Sequence, residues 1–590
     1  MDVSKPIFSL IVFWLLLGVF NLHLTASVPV DDNRRHLTNS VSVDVSKGHK
    51  ISPVFFGIFF EEINHAGAGG LWAELVSNTG FEAGGHSMPS SINPWARIGE
   101  DEDIYIVTEL VSCFKHNPVA LRMDVLCEQS TCPPGGVGLY NTGYWGMNIE
   151  EGKSYIVIFY LKSTQQIDAF VAFVSEDGTR NLAFQHITVD AAIVKKWTKI
   201  EITIKARGSY KTARLQFTTS QKGTIWLDQV SAMPVDTYKG HGFRNDLMEM
   251  LLNLKPKFLR FPGGCYVEGK YLRNAFRWKE RPGHFNDIWG YWSDDGIGTL
   301  EQIDNSLIAP FVQEMLDSVE FARGSPNSTW GSLRAKLGHP KPFRLNYIAF
   351  GNEGCYFDSY RGNYLKFYKS LKKIHPDIKV ISNCDATLKP LDHPADIYDY
   401  HTYPNNTSEM LQLTNLFGKI RRDSGTPKAF VSEYAVRYME GPMRNGTFGA
   451  ALAEAAFLLS LEQNSDVVEM VSYAPLFLNL NNYNKSWIPD AISFNTYTVF
   501  GIASYWVVNY NDESLKLNIS LNGVDSNSII IWRKVVLTSD DLQADNTFEN
   551  PVKVVPLSRI LNSKVEKDIL VEVQPYSLTA FDLITSKPLQ

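Results

Sequence analysis

The sequence predicts a multidomain protein: a (β/α)8 TIM-type barrel, one of whose strands is not found, with one β-sandwich inserted early in the barrel and a second at the C-terminus. Three observations carry this prediction. From about residue 236 to 500, short buried strands alternate with amphipathic helices, the pattern of an α/β domain. Short alternating strands broken by Gly and polar turns precede this region, and strand-like runs return after residue 505. With 590 residues, the chain is long enough for about three or four domains.

Composition limits the classes of function. Hydrophobic residues make up 44% of the chain and charged residues 20%, which excludes a disordered or collagen-like protein. Lys and Arg number 56 against 63 Asp and Glu, so the formal net charge is −7. Because a nucleic-acid binder needs an excess of basic charge to neutralise phosphates, we expect no nucleic-acid partner.

The N-terminus has the pattern of a secretory signal peptide, which we assign to residues 1–26. Lys5 precedes an apolar run over residues 7–20, and the small residue Ala26 follows at the expected cleavage point. The run is shorter than the roughly 18 residues that a membrane span needs, although an uncleaved anchor stays open as an alternative. No other stretch is long and apolar enough. We therefore expect a secreted protein without integral membrane association.

Two further patterns agree with an extracellular location. Six cysteines are too few for a disulfide scaffold in so long a chain, but Cys127 and Cys132 could close a local loop in an oxidising compartment. Acceptor motifs for N-glycosylation begin at Asn327, Asn405, Asn406, Asn445, Asn484 and Asn518. The sequence contains no CxxC pair, HExxH motif, Walker loop or GxSxG motif, so we predict no metal and no cofactor.

The elements follow in chain order. Residues 27–80 form an N-terminal segment that holds the first barrel strand, VFFGIFF at 54–60. Residues 81–235 form the inserted sandwich, with strands predicted at 155–163, 169–175, 198–206, 213–220 and 224–233. Residues 236–500 form the barrel, and residues 501–590 form the C-terminal sandwich.

The barrel region supplies six more strands, separated by helices. The strands are predicted at 257–261, 346–350, 378–382, 396–401, 428–432 and 467–473, and the helices at 306–323, 363–374, 407–421 and 447–464. With residues 54–60 they make seven strands. One of the eight strands that a (β/α)8 barrel needs is therefore not found in the sequence.

Two of the predicted strands end in glutamate. Glu353 follows the strand 346–350, and Glu433 follows the strand 428–432. All strand C-termini of a barrel open on one face, so we expect the two carboxylates to face each other there, about 5 Å apart. Glycoside hydrolysis requires at least a pair of carboxylates, one on either side of the bound sugar. The alternative is that each glutamate lies in an ordinary loop and pairs with a surface lysine.

Five spaced motifs carry a resemblance to a known family. The sequence resembles the plant members of glycoside hydrolase family 51, α-L-arabinofuranosidases of which some also act on β-xylosides. The motifs are FFGIFFEEINHAGAGGLWAEL (55–75), KFLRFPGGCYVEG (257–269), AFGNEGCY (349–356), HPADIYDYHTY (393–403) and FVSEYAV (430–436). The resemblance implies that the inserted sandwich is carbohydrate-binding-like. It also implies that Glu353 is the acid/base and Glu433 the nucleophile.

The same resemblance implies a set of substrate-binding residues: Glu61, Arg260, Cys265, Asn352, His401 and Tyr403. Arg260 matches an arginine that supports the nucleophile. Cys265 stands where many family members have a sugar-binding Asn. Trp487 resembles a loop tryptophan of the family. From the residues alone, an exposed charge, a structural ion pair or a core histidine would explain several of these positions equally well.

The chain departs from the family's pattern inside the barrel. Relatives have a further strand and helix after a motif like residues 291–298, whereas here Gly298 runs almost directly into the helix predicted at Asn305. Residues 278–282 and 505–510 also look short. The chain resembles a family member from which internal segments are missing, and a barrel that lacks one strand would expose two strand edges.

We therefore expect a retaining exo-glycosidase that releases terminal non-reducing α-L-arabinofuranosyl residues from arabinans, arabinoxylans and arabinogalactans of the cell wall. Two alternatives stay open. One is a carbohydrate-binding protein whose barrel is catalytically impaired, and the other is a retaining hydrolase of the same clan for another sugar, such as a β-xylosidase.

Overall fold

A computed structural model describes most of the chain outside its N-terminus. The described residues are 39–44, 50–63, 65–84, 88–114, 117–128, 130–265, 278–280, 305–420, 422, 425–437, 446–481, 490–497, 499–501, 508–522, 529–547, 550, 552–561 and 568–585. The predicted signal peptide, Trp487, two acceptor asparagines (Asn445 and Asn484) and the junction at Gly298 lie outside them. None of the helices in these ranges is long and apolar enough to cross a membrane.

Two antiparallel sheets form the sandwich that interrupts the barrel. One sheet has the order Asn181–Val189, Ile167–Val174, Tyr210–Thr219, Val137–Asn141 and Trp95–Ile98, with Met147–Ile149 paired beside it. The other has the order Thr198–Lys205, Ser154–Ser163, Gly223–Pro234, Ala120–Val125 and Ile104–Glu109. Along Ser154–Ser163 every second side chain is buried, because successive side chains of a strand point to opposite faces.

The sequence identified five of these strands and missed the other six. Most of the missed strands are short or lack a clean alternation. Ala120–Val125, for example, is apolar at both of its first two positions, and both are buried. Such a run cannot be assigned from its period alone.

Seven parallel strands form the curved sheet of the barrel. In spatial order they are Leu259–Arg260, Ile58–Phe59, Val468–Val471, Lys428–Tyr434, Ile397–Thr402, Lys379–Ser382 and Tyr347–Phe350. A parallel bridge between Phe56 and Val471 joins the first strand to the last one in the sequence. The Val471 N–H donates to Phe55 O at 2.7 Å, and the Gly57 N–H donates to Val471 O at 3.1 Å. All seven are the strands that the sequence predicts.

Helices cover the outside of this sheet. They run over Asn245–Asn253, Ala309–Arg323, Thr329–Lys336, Tyr360–Ile374, Thr407–Leu413 and Phe448–Gln463, and a short helix, Ala191–Val194, belongs to the sandwich. Short 3-10 turns occur at Glu82–Gly84, Tyr238–Gly240, Trp278–Glu280, Asn305–Leu307 and Phe417–Lys419. Phe448–Gln463 is apolar on most sides because it packs against both the barrel and the C-terminal domain. Its N-cap, Thr447, accepts a hydrogen bond from the Ala450 N–H.

Within the ranges that the structure describes, the sheet of the barrel is not closed between its two outer strands. Among the described residues, no strand pairs with the free side of Leu259–Arg260 or of Tyr347–Phe350. Leu259 is 57% exposed, and Phe261, which directly follows that strand, is 53% exposed. Lys428–Tyr434, on the other side of the sheet, is buried at six of its seven positions. The outer strand at Leu259–Arg260 is therefore flanked by exposed apolar side chains.

The C-terminal domain consists of a four-stranded and a three-stranded sheet. The first has the order Val508–Asn509, Ser577–Thr585, Ile529–Thr538 and Leu557–Leu561, and the second Asn39–Asp44, Leu515–Asn522 and Asp568–Val573. Asn39–Asp44 pairs in parallel with Leu515–Asn522, so the start of the N-terminal segment belongs to this domain rather than to the barrel. A further small sheet joins Phe477–Asn479, Ile492–Phe494 and Val499–Gly501.

Candidate active site

The two strand-end glutamates meet at the carboxyl-terminal face of the barrel. Glu433 lies near the end of Lys428–Tyr434, and Glu353 follows Tyr347–Phe350 by three residues. One oxygen of each carboxylate and one ring nitrogen of His401 all lie within 4.8 Å of one another. His401 is opposite Glu433 in the parallel register, at the end of Ile397–Thr402. The three residues come from three of the seven barrel strands.

Glu433 is buried among groups that favour its ionised form. It is 7% exposed, its Oε1 accepts a hydrogen bond from Arg260 Nη1 at 2.5 Å, and its Oε2 accepts one from the Tyr403 hydroxyl at 2.6 Å. Burial acts to raise the pKa of this carboxyl, but the positive charges of His401 and Arg260 and these hydrogen bonds outweigh it. The pKa of Glu433 is therefore lowered, and the group is a carboxylate at neutral pH.

Arg260 binds the nucleophile candidate and its neighbours at once. The guanidinium lies 4.2 Å from the Phe59 ring centroid, and Nη2 donates to Asn352 Oδ1 at 2.9 Å. Nη2 is also 4.0 Å from Asp399 Oδ2. Burial acts to lower the pKa of Arg260, and the charges of Glu433 and Asp399 raise it above its ordinary value. The arginine is a fixed positive charge in the floor of the site.

Glu353 is the more accessible of the two carboxylates. Its side chain is 47% exposed, against 9% for that of Glu433. Glu353 has φ +56°, a left-handed conformation uncommon for a side-chain-bearing residue, and it follows Gly351 with φ +92°. This turn directs the carboxylate toward His401, whose Nδ1 is 2.7 Å from Glu353 Oε1.

His401 is held between acidic groups on both of its ring nitrogens. Its Nε2 is 3.1 Å from Asp399 Oδ2 and 2.9 Å from the Ser432 hydroxyl, while Nδ1 faces Glu353. Burial acts to lower the pKa of His401, but the charges of Glu433 and Asp399, with the hydrogen bonds to Asp399 and Glu353, raise it to about 10. The imidazole is therefore protonated at neutral pH and donates from both nitrogens.

Glu61 and the two glycines before Cys265 complete the wall of the site. The Gly264 N–H donates to Glu61 Oε1 at 3.2 Å. A Cβ at Gly264 would lie 3.0 Å from Glu433 Oε1 and 3.2 Å from Asn352 Oδ1, so a side chain here would displace both of these groups. Gly263 has φ +144°, which a residue with a side chain rarely adopts. Glycine is required at this close approach.

The structure brings the remaining predicted site residues into the same cluster. Asn352 bridges Arg260 and Cys265, because its Oδ1 accepts from the guanidinium and its Nδ2 lies 3.7 Å from Cys265 Sγ. Glu61 and Tyr403 reach the cluster through Gly264 and Glu433, as described above. All eight residues predicted from the sequence therefore lie together.

Sequence reasoning missed two polar residues and a disulfide of this site. Asp399 lies two residues before His401 on the same strand, and Ser432 directly precedes Glu433. The spacing of two could have identified Asp399, because residues i and i+2 of a strand share a face. The Cys355–Cys384 disulfide joins the segment after Glu353 to the end of the next strand. The other disulfide, Cys127–Cys132, confirms the predicted local loop.

A parallel barrel in which an ionised, buried carboxylate faces a more accessible one, with an oxygen of each within 4.8 Å of the other, is the arrangement of a retaining glycoside hydrolase. Comparisons with known proteins agree with this class. A family model described as the alpha-L-arabinofuranosidase 1 domain matches residues 250–306 and 300–422, and one described as the alpha-L-arabinofuranosidase C-terminal domain matches residues 432–513.

Curated relatives identify the family. The chain is 49% identical to Alpha-L-arabinofuranosidase 2 of Arabidopsis thaliana, over 91% of this chain and 89% of that protein. It is 48% identical to Alpha-L-arabinofuranosidase 1 of the same plant, with the same coverage. It is also 31% identical to the Extracellular exo-alpha-L-arabinofuranosidase of Streptomyces chartreusis, over 78% of this chain and 59% of that protein. The chain belongs to the α-L-arabinofuranosidases of glycoside hydrolase family 51.

A solved structure shares the whole architecture. The arabinose-bound MgGH51 α-L-arabinofuranosidase superimposes with a TM-score of 0.81 over 92% of this chain and 100% of that one, at 24% sequence identity. This likeness supports the fold: a TIM barrel with accompanying β-sheet domains.

The alignment with the first Arabidopsis relative also bears on the open side of the barrel. It runs over 609 positions, more than the 590 residues of the whole chain, although it covers only 91% of them. The alignment therefore contains positions at which the relative has residues and this chain has none. This supports the prediction that internal segments are missing.

Proposed function

We propose that this chain is a retaining exo-acting α-L-arabinofuranosidase that uses Glu433 as nucleophile and Glu353 as acid/base. The observation that carries the proposal is the contrast between the two carboxylates. Glu433 is buried and bound by Arg260 and Tyr403, whereas Glu353 is half-exposed and bound by His401. The contacts of Glu433 favour its ionised form, whereas Glu353 can exchange a proton with a substrate oxygen.

The first step would be attack of Glu433 on the anomeric carbon. A bond forms between a Glu433 oxygen and that carbon while the glycosidic C–O bond breaks, and Glu353 transfers its proton to the departing oxygen. Arg260 and the Tyr403 hydroxyl hold Glu433 through separate oxygens, so the carboxylate is oriented before the substrate arrives. The product is a covalent arabinofuranosyl-enzyme and a free aglycone.

The second step would use the same residues in reverse. Glu353, now ionised, removes a proton from water, the water oxygen attacks the anomeric carbon, and the bond to Glu433 breaks. Two inversions at one carbon leave the configuration of the released arabinose unchanged.

His401 supports both steps through its proton. Protonated at neutral pH, it donates to Glu353 across 2.7 Å and lies 3.5 Å from Glu433 Oε2. Its positive charge stabilises Glu433 as a carboxylate in the free enzyme. The short contact fixes the position of the Glu353 carboxyl, and Asp399 keeps the ring oriented.

For the natural substrate we propose terminal arabinofuranosyl groups of cell-wall arabinans, arabinoxylans and arabinogalactans, reached by a secreted enzyme. The Streptomyces relative is named extracellular and exo-acting. The two disulfides suit an oxidising compartment, and acceptor residues Asn327 and Asn405 are exposed. Asn406 is a weaker acceptor because its side chain caps the helix Thr407–Leu413 and bonds Glu409 on both polar atoms.

The direct test is hydrolysis of 4-nitrophenyl α-L-arabinofuranoside by the full chain, beside the β-D-xylopyranoside. We expect turnover of the arabinofuranoside, with retained configuration when the first product is followed by proton NMR. Faster turnover of the xyloside would assign the chain to xylosidases. No turnover of either by folded protein would favour the carbohydrate-binding alternative.

A further inference from the structure

A second cavity lies where the inserted sandwich meets the barrel. Its volume is about 260 Å3, just below the range of drug-sized ligand sites, which limits it to a small ligand such as one sugar unit. None of the active-site residues described above lines it. Its walls come from residues 69–75 and 243–246 on the barrel side, residues 144–155 and 234–237 on the sandwich side, and Thr496–Tyr497.

The barrel side of the cavity is a rigid wall that carries Trp72. Trp72 and Phe243 form an antiparallel bridge, and the Ala73 N–H donates to Gly242 O at 2.9 Å. A Cβ at Gly242 would come within 2.6 Å of the Trp72 ring, so glycine lets the indole lie directly against the backbone. Phe243 packs edge-on against the same ring at 5.5 Å. The indole is thereby fixed in place before any ligand binds.

The sandwich side contributes Tyr144 in the same way. A Cβ at Gly69 would lie 2.2 Å from the Tyr144 ring, so the ring rests on a glycine of the barrel loop. Gly69 has φ +77°, a conformation that side-chain-bearing residues rarely adopt. His65 packs against both Tyr144 and the exposed Trp145, at 5.7 and 5.0 Å between ring centroids. Two aromatic rings from different domains therefore line one cavity, each held by a glycine.

The mouth of the cavity is aromatic and polar. Tyr497 is 43% exposed, and Lys211 of the sandwich lies 4.0 Å from its ring centroid. Lys153 binds Glu150 at 3.0 Å and is 3.6 Å from Asp236, and these three side chains are between 39% and 54% exposed. Ammonium and carboxylate groups at this exposure can exchange bonds with water for bonds with ligand hydroxyls.

The charges of the lining argue for a neutral ligand. Lys153 pairs with acidic partners at the rim, and Arg244 pairs with Asp246 at 2.6 Å. The remaining acid, Glu74, is buried and accepts hydrogen bonds from the Val76 N–H and Ala232 N–H and from the Ser231 hydroxyl. Both cations among the described lining residues, Lys153 and Arg244, therefore have acidic partners, and Lys211 at the mouth lies over the Tyr497 ring.

From this combination we infer that the cavity is a second carbohydrate-binding site, which takes a neutral sugar unit of the polysaccharide that the active site trims. The C–H faces of a sugar ring pack on the electron-rich faces of aromatic side chains, while its hydroxyls bond to polar groups at the edge. The inference rests on the proposed function. The loop after the first barrel strand carries both Glu61 of the active site and Gly69 and Trp72 of the cavity, so one segment connects the two sites.

The test compares two cavity variants with a matched control in the full chain. Tyr497→Ala removes a half-exposed ring, and Asn148→Trp fills the cavity from its rim without removing an aromatic group. Tyr105→Ala is the control, because Tyr105 is a 54% exposed tyrosine of the sandwich that does not line the cavity. We expect both cavity variants to raise KM for wheat arabinoxylan or sugar-beet arabinan about tenfold while leaving kcat, and both constants for 4-nitrophenyl α-L-arabinofuranoside, within twofold. The control should change neither.

Electrophoresis in gels that contain the same polysaccharides measures binding independently of hydrolysis, because a protein that binds the polysaccharide is retarded. Retardation of the parent chain that is lost in both cavity variants would support the site even if the arabinofuranoside were not hydrolysed, so the two proposals can fail separately. Unchanged polymer KM and unchanged retardation in both variants, with normal melting curves, would overturn the second site.

Discussion

Arg260 donates a hydrogen bond to Glu433 across 2.5 Å, although 173 residues separate the two in the sequence. The contact spans two strands of the barrel that do not pair with each other, so it exists only when the sheet is curved. The same guanidinium reaches Asn352, which directly precedes Glu353. The contact that favours the ionised form of Glu433 therefore depends on the curvature of the barrel.

Removing that guanidinium should weaken the nucleophile. For Arg260→Met we expect kcat/KM on the arabinofuranoside to fall by roughly 10²-fold or more, the scale seen when one buried charged donor of an active site is lost. Because Arg260 helps to lower the pKa of Glu433, its loss should also move the acidic limb of the pH profile to higher pH. If the acidic limb of the pH profile of Arg260→Met lies at the same pH as that of the parent chain, this role of Arg260 is contradicted.

Because His401 is charged in the folded chain, the stability of the protein should fall as the pH rises into the alkaline range. The pKa of His401 is raised from the ordinary 6.5 to about 10 in the folded chain, so its contribution is fully present below about pH 6.5 and is lost as the pH rises through about 10. We expect the melting temperature of the parent chain to fall between pH 7 and pH 10 by more than that of His401→Gln. Parallel curves for the two proteins would show that the histidine is not charged in the folded state.

The Cys355–Cys384 disulfide should position the acid/base. It closes a loop of about 29 residues that begins two positions after Glu353, and a cross-link of this length stabilises a fold by roughly 3 kcal/mol. Cys384→Ser should lose activity on substrates with poor leaving groups, which need protonation, and keep more activity on 2,4-dinitrophenyl arabinofuranoside. Cys127→Ser, which removes the sandwich disulfide, is the control. Equal losses on both substrates would indicate a structural role only.

The open side of the barrel should limit stability and turnover. Each unpaired buried backbone group costs roughly 1–3 kcal/mol, and Leu259 and Phe261 expose apolar surface beside the opening. We expect a chain with a family-like strand and helix inserted after Gly298 to melt at a higher temperature and to turn over faster than the present chain. Equal melting temperature and equal turnover would show that the opening is harmless.

Much of the barrel and its site follows from local pattern. Short apolar runs predicted all seven strands, and a glutamate at the end of two of them predicted the pair of carboxylates that meets at one face of the barrel. The pairing of Asn39–Asp44 with Leu515–Asn522 could not be predicted, because no local signal links strands so far apart in the sequence. Nor could Cys355–Cys384, since six cysteines leave many connectivities open. Asp399 was missed because its carboxylate gains its partners, His401 and Arg260, only in the folded barrel.

The most direct test of the account is to trap the covalent intermediate and locate it. In Glu353→Ala, an activated substrate such as 2,4-dinitrophenyl α-L-arabinofuranoside needs no acid for the first step, while the second step loses its base, so the arabinofuranosyl-enzyme should accumulate. Mass spectrometry of the proteolysed protein should then find one arabinofuranosyl group on Glu433, and added azide should release it as the azide adduct. A label on any other residue, or an inverted product formed without any label, would contradict the assignment of Glu433 as nucleophile.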